Sequence, residues 1–155
     1  MTIKTETDYN LLDWDHPSPF VAAITVHAAD IDSYGHANNS VYVRWFDDCA
    51  RAHSKQLGID ADQALALGYG MAVHESHIRY IASAYLDEKL LLATWIMEND
   101  GRLRISRRFQ LIRASDKAVL ARARLDYVCI NLKTGRASKM PTLFKQGYPV
   151  SCSDS

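Results

Sequence analysis

The stretch from Asp30 to Tyr42, Asp-Ile-Asp-Ser-Tyr-Gly-His-Ala-Asn-Asn-Ser-Val-Tyr, gathers two carboxylates, a glycine, an imidazole and two side-chain amides into one connection. These are also the ordinary materials of loops and helix caps, because their side chains bond nearby backbone and glycine accepts positive φ. A second reading is chemical. A helical pattern begins near Asn39, and the first N–H groups of a helix have no partner within it, so they can hold an oxyanion. A carboxylate at Asp32 facing that helix start would set a base and an electrostatic stabiliser on opposite sides of one reacting carbonyl.

The same stretch resembles the signature of hotdog-fold thioesterases of the 4-hydroxybenzoyl-CoA and acyl-ACP thioesterase type, Asp-x-Asp-x-x-Gly-His-x-Asn-Asn-x-x-Tyr. Every specified position is matched, and Trp45 follows. The resemblance implies hydrolysis of an acyl thioester, in first place an acyl-CoA, with Asp32 as the catalytic aspartate and Asp30 as a turn or strand-end residue. A thioester carbonyl is reactive enough for an aspartate, attacking directly or drawing a proton from water, to suffice without a Ser-His-Asp constellation. The backbone N–H groups of Asn38 and Asn39 would be the oxyanion donors, and Gly35 would let the loop turn closely enough to admit the acyl carbonyl. His36 would orient Asp32 or the attacking water, its alternative being a loop histidine bonded to backbone. Asn38 could hold substrate or water, and Tyr42 is a candidate substrate contact that suits the core equally well, as does Trp45. Coenzyme A would arrive as part of the substrate, with no metal or organic cofactor. The active site would lie between subunits of a homodimer, or of a tetramer built from dimers, because one sheet wrapped on one helix leaves an open edge and little enclosed pocket.

Other candidates carry less. Glu75, in His74-Glu-Ser-His77-Ile-Arg-Tyr80, resembles a residue of the family's second strand and is a possible substrate contact, against a surface ion pair with Arg79. His74 and His77 are three apart, so on a strand they point to opposite faces, and the spacing does not match His-Glu-x-x-His on a helix; zinc is rejected. Arg102, Arg104 and Arg108 share a parity on one strand, Arg107 takes the other, and Lys133, Arg136 and Lys139 cluster at the last turn. They read as a solvated face, or, for Arg107 and Arg136 in particular, as cations for the phosphates of coenzyme A at a subunit boundary. The sequence has no Gly-x-Ser-x-Gly, no Gly-x-x-x-x-Gly-Lys and no Gly-x-Gly-x-x-Gly, which removes the usual support for a serine hydrolase, a nucleotide hydrolase or a dinucleotide enzyme. The rival readings are a hotdog hydratase or dehydratase, and a non-catalytic acyl-thioester-binding protein.

The elements that must position these residues follow from composition and period. A chain of 155 residues with 48% hydrophobic and 23% charged residues fits one globular domain. Eighteen basic residues balance eighteen acidic ones, so no general field draws nucleic acid or an anionic membrane, and no apolar run is long enough to span a bilayer. Cys49, Cys129 and Cys152 are widely spaced and odd in number, which suits free thiols and a cytoplasmic location. Residues 1–19 read as a polar arm that Leu11, Leu12 and Trp14 could pin down, 20–145 as the domain and 146–155 as a tail. Phe20–His27 alternates as a strand. Tyr42, Trp45, Phe46, Cys49, His53 and Leu57 then recur at threes and fours along an amphipathic helix, Asn39–Leu57, capped by Asn38 or Asn39 and ended by Gly58. A short helix at Ala61–Leu67 precedes four strand patterns, Met71–Tyr80, Lys89–Glu98, Leu103–Arg113 and Ala118–Ile130, with Asn99-Asp100-Gly101 as the clearest hairpin turn and a short sheet end at Arg136–Met140. This order predicts an α+β architecture, one long helix wrapped by a curved antiparallel sheet of five or more strands, and agrees with the hotdog fold over about residues 20–142.

Overall fold

The computed structural model describes residues 12–151. Five strands, β1 Phe20–Thr25, β2 Tyr69–Tyr80, β3 Lys89–Asn99, β4 Arg104–Arg113 and β5 Val119–Asn131, form one antiparallel sheet in the order β1-β3-β4-β5-β2. The long helix α1, Asn39–Gln56, is followed by the short α2, Ala61–Leu67, and a third helix, α3, spans Thr142–Gly147. This is the hotdog arrangement that the element order predicts.

The stripe of α1 explains why one helix and one sheet hold together. Tyr42, Trp45, Phe46, Cys49 and His53 are all buried, and they meet Leu90, Leu92 and Ile96 of β3, Phe109 and Leu111 of β4, and Leu125 of β5 in one core. Phe46 and Phe109 stack at a tilt 5.0 Å apart, and Phe20 of β1 lies over the His53 ring at 4.9 Å. Cys49 and Cys129 are free and buried. β3 sits between β1 and β4 and is covered on both faces, which is why it reads as an unbroken run, Leu-Leu-Leu-Ala-Thr-Trp-Ile, instead of an alternating one.

The second face of β3 is covered by the residues before β1. Leu12 and Trp14 pack on Leu91, Ile112 and Ala114, Trp95 donates its Nε1–H to the Pro17 carbonyl at 3.1 Å, and Arg122 holds Asp15 through two bonds of 2.8 and 3.0 Å. Leu11 and Cys152 lie outside the described residues.

Boundaries differ from the sequence expectation where a side chain intervenes. β1 stops at Thr25 and not His27, because the His27 N–H turns to the Asp30 carboxylate at 2.9 Å and the chain winds into a single 3-10 turn, Ala28–Asp30. β4 begins at Arg104 because the Asp100 carboxylate, in the expected hairpin, accepts the N–H groups of Arg102, Leu103 and Arg104 at 2.8–2.9 Å. The short sheet end amounts to one isolated bridge, Ile130 to Ala137. α3 has no counterpart in the sequence reading: six residues give too little period to detect, and it forms because Phe144 and Tyr148 bury against the rest of the domain. No helix of the described residues is long and apolar enough to cross a membrane.

Trp45→Ala removes a large buried side chain where helix and sheet meet. We expect a loss of about 3–5 kcal/mol in unfolding free energy, measured by urea titration, a large share of the stability typical of one domain. An unchanged midpoint would mean that α1 is not held by its stripe.

Candidate active site

The connection from β1 to α1 is a small closed hairpin. Ile31 bridges Ala37, the Asp32 N–H donates to the His36 carbonyl at 3.0 Å, and the Gly35 N–H donates to the Asp32 carbonyl at 3.0 Å. Gly35 takes φ +84°, the left-handed value that closes such a turn at low cost only for glycine. The Asp32 side chain completes it, one oxygen accepting the Tyr34 N–H at 2.9 Å. Its other oxygen accepts no hydrogen bond from the described residues, and the side chain is half-buried. Asp32 therefore serves the turn with one oxygen and keeps the second uncommitted.

Asp30 ties this hairpin to the helix. It is 3% exposed, its carboxylate accepts the His27 N–H and Arg44 Nη2 at 2.6 Å, and its carbonyl accepts the Asn38 N–H at 2.9 Å. Burial alone would raise its pKa, but the His27 N–H and the Arg44 guanidinium outweigh it and hold the carboxyl below its ordinary value. Asn38 caps α1, its Oδ1 accepting the Ser40 N–H at 2.9 Å and the Ser40 hydroxyl at 2.7 Å.

These bonds correct the expected donor pair. The Asn38 N–H is committed to Asp30 and so is not an open oxyanion donor; its side-chain Oδ1 is committed to Ser40, while its Nδ2 makes no bond to the described residues. The Asn39 N–H makes no bond to the described residues, which leaves it as the open donor at the helix tip. The Asn39 carbonyl receives the Tyr80 hydroxyl at 3.4 Å, and the Ala37 N–H donates to the Ala84 carbonyl at 2.8 Å, so the end of β2 and the loop after it back the site. His36 lies beside the Ala37 carbonyl, with Nδ1 at 3.3 Å, and stacks on Tyr34, which is 85% exposed.

Other candidates lie elsewhere. Tyr42 is 3% exposed and packs against Trp45 and Tyr80, the core placement that its motif position also allows. Glu75 is exposed in the middle of β2 and pairs with His77 Nε2 at 3.0 Å, not with Arg79, because residues two and four apart share a strand face but the first lie only about 7 Å apart and the second about 13 Å. Among the described residues no three His, Cys, Asp or Glu side chains come together as metal ligands. Arg136 is exposed on the turn after β5, beside the start of β2, whereas Asn39 lies beside Tyr80 at its other end; twelve residues of strand separate them within one chain. Arg107 is not at a surface boundary: it is 3% exposed, beneath α1, with Nη1 2.8 Å from His53 Nδ1 and Nη2 3.3 Å from the Ser54 hydroxyl. Its parity opposite to Arg104 and Arg108 was the sequence signal that it turns inward.

The model of the thioesterase-like superfamily matches residues 26–147. A comparison with curated proteins finds no match. Among solved structures, the chain resembles a 1,4-dihydroxy-2-naphthoyl-CoA thioesterase from Synechocystis at TM-score 0.76 and 18% identity, over 84% of this chain and 96% of that one. It resembles a Staphylococcus aureus protein solved in complex with CoA at TM-score 0.77 and 21% identity, over 84% and 81%. A probable thioesterase from Escherichia coli aligns at TM-score 0.70 and 21% identity, over 83% and 95%. At these identities the structures agree in fold.

Asp30→Asn keeps the shape of the tie and removes its charge. Because the folded pKa lies below the ordinary 3.8, the carboxylate's contribution is complete above that pH and is lost as pH falls through the depressed folded value. Arg44 is more than half exposed, and solvent screening reduces the ion pair. Urea unfolding should show the variant about 1–2 kcal/mol less stable at neutral pH, with the gap closing in acid; a gap independent of pH would remove Asp30 from this role.

Proposed function

The chain belongs to the thioesterase-like superfamily, and from that premise we propose that it hydrolyses an acyl-CoA to a free acid and coenzyme A at the tip of α1. The supporting observation is the closed hairpin, in which Asp32 keeps one carboxylate oxygen without a partner and the adjoining helix start keeps one N–H without a partner, among the described residues. In this reading Asp32 takes a proton from a water that attacks the thioester carbonyl and passes it to the thiolate as the C–S bond breaks, or it attacks the carbonyl itself. Direct attack expels a thiolate that is protonated by water and forms an anhydride, which a second water hydrolyses to the free acid and the regenerated carboxylate. The Asn39 N–H holds the developing oxyanion, a contribution of about 2.7–4 kcal/mol for one such donor. His36 orients Asp32 or the water. Coenzyme A enters as part of the substrate, its phosphates meeting exposed cations such as Arg136.

The site is completed by a second copy of the chain. Among the described residues β2 pairs only with β5, and its other edge is open along twelve residues. Val73 to His77 are exposed whichever face they point to, and Ile81, Tyr85 and Leu86 add apolar surface after the strand. So long and uncovered an edge favours pairing with another strand, and in a homodimer joined there the antiparallel partner brings the far end of its own β2, with Arg136, toward this chain's Asn39.

The test measures thiol release over acyl-CoA and acyl-carrier-protein substrates. We expect hydrolysis of acyl-CoA, with kcat about 10²–10⁴-fold lower in Asp32→Asn while the fold is kept. Water addition with the thioester intact would point to a hydratase, binding without turnover to a carrier, and full activity in Asp32→Asn would remove this carboxylate from the reaction.

A further inference from the structure

A second cleft, of about 660 Å³, opens at the other end of α1, between the last turns of that helix, α2, α3 and the strands β2, β4 and β5. Counted along the helix, Ser54 on its wall lies about 22 Å from Asn39. Within one chain the cleft is therefore distinct from the hairpin site; in the homodimer proposed above the partner's hairpin would stand beside the cleft's Tyr69–Met71 rim, so the test below uses Asp32→Asn to tell the two apart. Ile59, Ala64, Leu65, Met71, Ile105 and Phe144 supply apolar walls, while Arg107, Tyr127, Ser54 and Tyr148 supply the polar groups.

Those polar groups are unbalanced. Arg107 has no carboxylate within ion-pair distance among the described residues, and a guanidinium does not give up its proton to relieve burial. Its nearest partner, His53, is held neutral, its pKa pushed down to about 4 by burial and by Arg107 itself, and so offers a lone pair but no charge. Ser54 gives a hydroxyl, and the Tyr148 ring, 5.8 Å from the guanidinium carbon, gives a weak attraction through its face. Beside Arg107, diagonally across the β4–β5 pair, Tyr127 is 8% exposed and its hydroxyl has no partner among the described residues. A buried cation without a counter-charge and a buried donor without an acceptor are both costly alone. Both costs are met by one group.

We propose that this cleft is a binding site for a small carboxylate with an apolar body, its oxygens received by the Arg107 guanidinium and the Tyr127 hydroxyl and its body lying against Ile59, Leu65 and Met71. A guanidinium matches a carboxylate in shape as well as charge. A monoanion fits better than a phosphate, because only one cation lies inside and the rim carries Asp47, Asp60 and Asp62 against Arg51 and Lys55, with Asp47 and Arg51 already paired at 3.1 Å. An acid freed elsewhere on the protein, or one from solution, offers the same chemistry.

The probe is hexanoate, titrated calorimetrically into the full-length protein, with hexanamide as the uncharged control and inorganic phosphate as the alternative anion. Hexanoate should bind the wild type and bind Asp32→Asn equally well; Tyr127→Phe, which loses one oxygen and keeps the shape, should bind it roughly tenfold more weakly, and Arg107→Met more weakly still. Hexanamide should bind at least tenfold more weakly than hexanoate. The proposal is overturned if hexanoate does not bind, if phosphate binds in its place, if hexanamide binds as well, if Tyr127→Phe binds unchanged, or if Asp32→Asn loses the affinity, which would put the acid at the hairpin instead. Should Arg107→Met fail to fold by circular dichroism, Tyr127→Phe and the hexanamide comparison decide the question. Loss of thioester hydrolysis in Asp32→Asn with hexanoate binding intact would separate the two sites.

Discussion

One buried carboxylate fixes how the strand, the hairpin and the helix meet. Asp30 accepts the N–H of His27 where β1 ends, takes Arg44 from the second turn of α1, and offers its carbonyl to Asn38 at the cap. The end of β1, the hairpin and the start of α1 are thereby held in one geometry, and the turn that carries Asp32 is closed by hydrogen bonds. A loop built this way can stand at the surface and still keep its shape, a requirement for any group that must meet a ligand at a defined distance.

Burial of the α1 stripe accounts for the rest of the fold. A single helix has only one sheet to cover it, so the sheet wraps it on one side and leaves β2 as a long edge. The opposite face of β3 and β4 would lie open if residues 12–19 did not cross it, and Trp14, Trp95 and Asp15 bind that segment down. Residues 12–19 of the polar arm are thus part of the sheet's second layer.

Much of this was legible in the sequence because periodic burial writes itself into residue order. The threes and fours of Tyr42, Trp45, Phe46, Cys49 and His53 gave α1 to within a residue at its end, and Asn99-Asp100-Gly101 marked the β3–β4 turn. What could not be read depends on contacts between distant residues. The competition between Asp30 and a substrate for the Asn38 N–H appears only when both are placed, and Tyr42 fits its motif position equally as core or as ligand contact until its burial is seen. Arg107 looked like one more surface cation, although its parity already set it apart from its neighbours; the lack of a counter-ion is visible only in three dimensions. α3 was too short to leave a pattern at all.

Both ends of the described chain fasten to neighbouring residues of one strand. Trp95 holds the Pro17 carbonyl, and Ile96 exchanges two bonds of 2.9 and 2.7 Å with Ser151. A pulling force applied across the two ends of the described chain would thus load Asp15 on Arg122 and Ser151 on Ile96 before Pro17 on Trp95, peeling the flanking segments from their moorings ahead of the helix–sheet interface. The domain has a mechanical fuse: its outer straps would yield under tension before the hairpin that carries Asp32 was disturbed.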